Sequence, residues 1–333
     1  LLRFEYFKNN WLDVSNLLVD KGHLNVTLTA NFFDNLRFDE SSLSNYKKNA
    51  AINLMNMLGS KPALCFSGGI DSQATWHCFN EAGIDIEVYC LKFKHDLNKQ
   101  DIEHAILFAE QNNIKLNIIE IDIIQFLSRE NADYAKKYKS LSPHFNTHYK
   151  LCNILLSKGY TGFVCGGGAP LLSTKHIHYA SNYNKNFLNY INYSQISDVL
   201  CQGNFLGYDP YLAWAIAILT PVFDNDIYGS PLNKEERDRL EYQRYLEKIK
   251  GYKKIGFDII PQTKKFTGFE LVKNELEKIY GDGWAFEKKY RDPLRLICPE
   301  YAVNINFDNE LIAKIESLYT KNFTTGYRAS SGI

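Results

Sequence analysis

The chain has 333 residues, of which 45% are apolar, and its 38 basic and 38 acidic side chains cancel. This length and apolar content give a sizeable core, enough for one large or two ordinary domains, and exclude an intrinsically disordered chain. Zero net charge takes away the electrostatic basis for non-specific nucleic-acid binding, and the longest apolar run, Tyr211 to Leu219, is too short to cross a bilayer. In chain order, residues 1–40 read as a small β unit. Leu2 to Phe7 alternates, Asn9-Asn10 marks a turn, Asp20-Lys21-Gly22 fits a bend, and Leu24 to Ala30 alternates again. Ser41 to Leu58 reads as a helix capped by Ser44, with Tyr46, Ala50, Ile52, Leu54 and Met57 on its apolar face. Ala63 to Phe66 is a short buried strand, followed by a turn and then a helix from about Gln73 to Ala82. The next strand is Ile84 to Phe93. A helix capped by Asn98 follows over Lys99 to Gln111, with Ile102, Ala105, Ile106, Phe108 and Ala109 facing inward. Lys115 to Ile121 is a third strand, Ile123 to Lys139 is mostly helical, Ser142-Pro143 interrupts, and Thr147 to Ser157 is helical again. Gly162 to Cys165 is a fourth strand and runs into Gly166-Gly167-Gly168-Ala169-Pro170.

Strands alternating with helices predict right-handed crossovers, and so an α/β fold with a parallel sheet and helices on both faces. Beyond residue 185 the pattern turns helical. Asn233 caps a polar helix to about Ile249, Thr267 to Tyr280 forms another, and Asp308 to Tyr319 a last one. The expected division is a β unit over 1–40, a sheet domain over 41–184 and a mainly helical region over 185–333 packed on it.

The chemistry concentrates in Ser67-Gly68-Gly69-Ile70-Asp71-Ser72. A strand, a glycine turn and a helix start in succession make an anion site, because unpaired N–H groups and the positive end of the helix dipole meet there. Gly68 and Gly69 let the backbone approach a phosphate closely, and Ser67 and Ser72 add hydroxyls. Asp71 would repel a bare phosphate. It fits if a divalent cation lies between the two. The alternative is a glycine turn that binds nothing. A Walker-type loop is excluded, since no Gly-Lys-Ser/Thr follows the glycines. Ligands of parallel sheets sit at the carboxyl ends of the strands, so this loop, Leu91 and the Gly166-Gly167 turn are expected to converge.

These six residues resemble the SGGxDS pyrophosphate loop of the N-type ATP pyrophosphatases. That superfamily contains asparagine, GMP, NAD and argininosuccinate synthetases and several tRNA- and base-modifying enzymes. The order of elements is most similar to the synthetase domain of asparagine and β-lactam synthetases. The resemblance implies an adenine nucleotide alpha hydrolase-like fold, ATP and Mg²⁺ as cofactors, and a small-molecule substrate whose carboxylate or similar oxygen is adenylated. Ser67, Gly68, Gly69, Asp71 and Ser72 would bind the phosphates, Asp71 would hold the metal, and backbone at Leu91, Gly166 and Gly167 would take the adenine. Pro261 to Phe269 is similar to the family's R-x-K-x-G-F loop, which puts Lys265 or Lys264 on the phosphates. Tyr208 to Leu212 and Pro221 to Asp224 lie where the family has its P-F-L-D segment. Two departures stand out. Residues 1–40 are too short for the family's glutaminase domain and carry no cysteine, so free ammonia, an amine or a separate partner is the expected donor. Pro170 and Leu171 stand where the family has a metal-binding aspartate and a glutamate. Adenylation of a nucleobase or tRNA, and a non-catalytic nucleotide-binding module, are the alternatives.

Other residue groups carry less. The seven cysteines, at 65, 78, 90, 152, 165, 201 and 298, contain no C-x-x-C pair. Cys65, Cys90 and Cys165 read as reduced core residues, and an odd count without a leader segment leads to the expectation of a cytoplasmic protein. His144 and His148 would bind substrate or shuttle protons, or else serve as packing residues at a helix start. Lys175-His176-Ile177-His178 gives two histidines on one strand face without a third metal ligand. Glu235 to Arg239 reads as a solvated helix face.

Overall fold

In the computed structural model, the described residues are 13–20, 23–28, 39–58, 61–138, 142–166, 200–202, 205–207, 209–220, 233–263, 268–281 and 302–307. The strands are β1 (Asp13–Asp20), β2 (His23–Leu28), β3 (Pro62–Cys65), β4 (Glu87–Phe93), β5 (Leu116–Ile121), β6 (Gly162–Cys165), β7 (Leu200–Gln202) and β8 (Ala302–Phe307). The helices are α1 (Leu43–Leu58), α2 (Ile70–Glu81), α3 (Lys99–Gln111), α4 (Ile123–Gln125), α5 (Asn131–Tyr138), α6 (Pro143–Ser157), α7 (Pro210–Leu219), α8 (Lys234–Ile255) and α9 (Glu270–Tyr280). A π-helical turn, Phe126–Glu130, joins α4 to α5.

The main sheet has five strands in the order β5-β4-β3-β6-β7, and every neighbouring pair is parallel. Along β3, β4 and β6 the side chains alternate between two cores, as the pleat requires. Leu64, Val88 and Val164 point to one face, where Ala51 and Leu54 of α1, Ala74 and Phe79 of α2, Phe108 of α3, Ile216 of α7 and Tyr252 of α8 cover them. Their neighbours Ala63, Tyr89 and Phe163 point to the other face, against Tyr138 of α5 and Tyr149, Cys152 and Leu155 of α6. The fold is therefore α/β with helices on both faces. The strand order reverses at β3: the chain moves outward through β4 and β5, then returns to place β6 on the opposite side of β3.

A second sheet has the order β1-β2-β8. Its third strand comes from the far end of the chain and runs parallel to β2. β1 does not show in the sequence pattern because its register against β2 shifts between Asp13 and Leu18, which breaks the alternation. The alternation at Leu2 to Phe7 and the helix at Asp308 to Tyr319 lie outside the described residues. β7 has three residues, too few for a periodic signal, and it adds a strand to the main sheet from beyond residue 184.

Two expected caps belong elsewhere. A 3₁₀ turn, Glu40–Ser42, precedes α1, and Asp39 caps it by accepting from Ser41 N–H at 3.0 Å; Ser44 is exposed one turn further on. Ile52 of α1 faces solvent at 42% exposure, whereas Ala50, Ala51 and Leu54 are buried. The Asn98 side chain does not cap α3. It pins the end of β4, accepting from Phe93 N–H at 2.8 Å and donating to the Leu91 carbonyl at 2.8 Å. α8 carries the expected Asn233 cap, with Glu236 closing a capping box, but runs to Ile255 and ends on Gly256 in the left-handed region at φ 88°. Glu235, Glu236 and Arg239 are exposed, as a solvated face requires.

Candidate functional site

β3 leaves the sheet at Cys65. Phe66 continues it by one bond, donating its N–H to the Tyr89 carbonyl at 2.7 Å, and its ring stacks on Phe108 with centroids 5.6 Å apart. The chain then turns at Gly68, whose φ is 79°. A Cβ there would come 2.9 Å from the backbone N and Cα of Ala105 on α3, so both the dihedral and the space demand glycine. α2 starts at Ile70 with Gly69 as N-cap, and no side chain caps it. The first-turn N–H groups of a helix have no intrahelical acceptor, and here no side-chain cap takes them, an arrangement suited to a ligand or water. Ser72 donates its hydroxyl to the Gly69 carbonyl at 2.8 Å, and its oxygen lies 3.4 Å from that of Ser67. Ser67 is exposed and Ser72 is buried.

This loop opens between β3 and β6, where the strand order reverses. That crevice is where open parallel sheets bind their ligands. Gly166, at the end of β6, packs directly on it: a Cβ there would fall 2.8 Å from Asp71 C and Ser72 N. The loop and Gly166 thus meet, while Gly167 and the rest of that turn lie outside the described residues. Leu91 sits inside β4, two residues before its end, and its carbonyl accepts from Asn98.

One face of α2 grips the segment after α8. Gln73, His77 and Glu81 are four residues apart and share that face. The fully buried Gln73 donates to the carbonyls of Gly68 at 2.6 Å and Ile260 at 3.0 Å, and accepts from Ile260 N–H at 2.7 Å. His104 Nε2 lies 2.8 Å from the same Ile260 carbonyl. His77 Nε2 lies 2.6 Å from the Asp258 carbonyl. A carbonyl only accepts, so both rings carry their proton on Nε2. Burial lowers the His77 pKa. Glu81 pairs with Lys47 at 2.5 Å, and Lys47 reaches the Gly256 carbonyl at 3.3 Å.

Asp71 meets two residues that sequence reading does not single out. Lys248 Nζ lies 2.6 Å from its Oδ1, and the Tyr252 hydroxyl donates to the same oxygen at 2.5 Å. Both stand on α8, four residues apart, so one helix face delivers both. Tyr252 is fully buried, and burial, followed by the charge and hydrogen bond of Asp71, raises its pKa well above the usual phenol value. The i, i+4 spacing was the available signal. Nothing in the local sequence tells which carboxylate that face meets.

Lys264 and Lys265 lie outside the described residues, but the chain on either side of them meets at Asp101, one helical turn before Ala105. Gln262 Nε2 lies 3.5 Å from Asp101 Oδ1, and a Cβ on Gly268 would fall 2.9 Å from Asp101 Oδ2. Burial pushes the Asp101 carboxyl up to about 6, against the pull of the Gln262 bond. Gln262 N–H also donates to the Tyr245 hydroxyl at 2.9 Å. The His144 ring packs on Phe269 with centroids 4.0 Å apart, and burial drives its pKa down to about 4. Asp209, in the segment matched to P-F-L-D, is the N-cap of α7 and accepts from Leu212 N–H at 3.0 Å. The Lys175 to His178 stretch lies outside the described residues.

The cysteines are not all isolated. β3 and β6 set Cys65 and Cys165 in register, and the Cys65 thiol is hydrogen-bonded to those of Cys152 and Cys165. Those bonds, then burial, hold it protonated well above the usual thiol range. The spacing of the three in sequence gives no sign of this. Cys90 is a buried core thiol, pushed up to about 12 by burial. Among the described residues, no group of three or more His, Cys, Asp or Glu is arranged to hold a metal, and no helix is long and apolar enough to cross a membrane.

The fold and the loop together define an open, doubly wound α/β protein with an uncapped helix start at its switch point. No family model matches the chain, and no curated protein does. Among solved structures, it is similar to the U34-tRNA thiolase NcsA from Methanococcus maripaludis with its [4Fe-4S] cluster. That likeness has 14% identity and a TM-score of 0.36, and spans 77% of this chain and 81% of that one. Nothing about activity passes from it to this chain.

Proposed function

We propose that the chain is an ATP-dependent adenylating enzyme of the pyrophosphate-loop type. The observation that carries this reading is the start of α2: an uncapped helix N-terminus behind a glycine wedged on α3, opening into the crevice between β3 and β6. N–H groups in that arrangement suit a polyphosphate, and they are fixed before it arrives. An oxygen of the substrate attacks the α-phosphorus of ATP, the bond from that phosphorus to the bridging oxygen breaks, and pyrophosphate leaves with the electron pair. Negative charge grows on the leaving pyrophosphate, where the α2 start and the Ser67 hydroxyl stabilise it. A nucleophile then displaces AMP from the activated oxygen. For the substrate we favour a carboxylate attacked by ammonia or an amine, giving an amide as in asparagine synthetases. Lys264 and Lys265 are the candidates for a lysine on the phosphates, since Asp101 lies against both Gln262 and Gly268.

The test is exchange of labelled pyrophosphate into ATP, run with candidate carboxylates, with tRNA, and with neither. Exchange that depends on a carboxylate supports amide formation. Exchange that depends on tRNA replaces that acceptor with a nucleobase. ATP binding without exchange under any condition leaves a nucleotide-binding module.

A further inference from the structure

We infer that Lys248 supplies the positive charge at Asp71 that the sequence alone assigns to a divalent cation, and that it binds the polyphosphate itself. This rests on the reading of the loop as the ATP site. Asp71 stands in the first turn of α2, beside the N–H groups that would meet the phosphates, and an unbalanced carboxylate there repels them. The structure balances it with an ammonium, at 2.6 Å on Oδ1. The Tyr252 hydroxyl accompanies Lys248 on that oxygen, and the ammonium lies 5.4 Å from the Tyr252 ring centroid. That oxygen thus takes two hydrogen-bond donors, and among the described residues no cluster of His, Cys, Asp or Glu stands around it to hold a metal.

The pair is held from outside the loop. Gly251, one residue before Tyr252, packs so closely on α7 that a Cβ would fall 2.5 Å from the Leu219 carbonyl oxygen, so α8 is seated there with little play. An ammonium has three donors and Asp71 takes one. The Lys248 side chain is 16% exposed and that of Asp71 31%, so the pair is partly buried but still within reach of solvent. Tyr252 is the positioning residue: its hydroxyl holds the Asp71 carboxylate beside Lys248, which the seated α8 itself carries to the loop.

The test is calorimetric titration of the whole chain with ATP, in excess Mg²⁺ and in EDTA. Wild-type affinity is expected to differ by less than about threefold between the two conditions. Lys248→Met weakens binding in EDTA by at least about tenfold, while Lys248→Arg keeps it within about threefold. Asp71→Asn, which removes the carboxylate charge and leaves Lys248 in place, binds ATP in EDTA at least as tightly as wild type. Wild-type binding that falls more than tenfold in EDTA overturns the inference, as does binding that ignores Lys248→Met. No binding by wild type under either condition removes the reading of the loop itself, and the inference with it. Should Lys248→Met fail to fold, the Asp71→Asn comparison decides alone: weaker binding in EDTA overturns the role given to Lys248.

Discussion

Two regions reach Asp71, and they are built by opposite means. The loop from Phe66 to Gly69 is held by near neighbours: β4 through the Tyr89 carbonyl, α3 through Ala105, and its own helix through Ser72 and Gln73. α8 arrives from 177 residues away for Lys248 and 181 for Tyr252, and is held by its seat on α7 and by the Gln73 and His77 bonds to the segment after it. The loop is a rigid backbone surface whose shape does not depend on charge. The α8 face is a pair of long side chains whose position depends on packing far from the phosphates. An anion site made this way separates shape from charge, and each part fails on its own when altered.

The sharpest break is on the loop side. Gly68→Val puts a branched side chain at φ 79° and drives its Cβ into the α3 backbone. The expected cost is about 3–5 kcal/mol of stability, read by urea unfolding, with loss of ATP binding. The second break falls where the two regions are joined. Gln73→Leu removes the amide that links the Gly68 carbonyl to Ile260 and leaves buried backbone groups without it. About 2–4 kcal/mol is expected, together with a looser segment after α8, visible as faster amide exchange at Ile260.

The smallest effect is on the α3 side and depends on pH. Asp101 has its carboxyl raised from 3.8 to about 6. The folded chain therefore keeps a proton there that the unfolded chain releases, and the contribution of this group to stability falls as pH rises between about 4 and 6. Asp101→Asn does not titrate, so its stability relative to wild type is expected to rise over that interval, by about 1–3 kcal/mol. Parallel urea titrations at the two ends of the interval measure it.

The loop side of this comparison was legible in the sequence, and the α8 side was not. A buried strand, two glycines and a helix start are neighbours in the chain, so spacing alone predicts their geometry. The parallel sheet was legible for the same reason, through the alternation of strands with helices. Asn98 shows the limit of that method. Its position before α3 predicts a cap, yet its side chain turns back to Phe93 and Leu91 of β4 because the turn after that strand leaves their backbone groups within its reach. The contacts of Lys248, Tyr252 and Gln73, and the meeting of Cys65 with Cys152 and Cys165, come from packing between elements far apart in the chain. No local period encodes them. Lys264 and Lys265 are proposed on resemblance alone, and of their surroundings only Gln262 and Gly268 are placed, both against Asp101.

The most direct measurement is equilibrium binding of ATP to the wild-type chain, followed by competition with inorganic pyrophosphate and with adenosine. If the turn after β3 is a polyphosphate cradle, ATP binds at one saturable site, and pyrophosphate displaces it at lower concentration than adenosine does. An absence of saturable ATP binding, or displacement by adenosine while pyrophosphate has no effect, would contradict it.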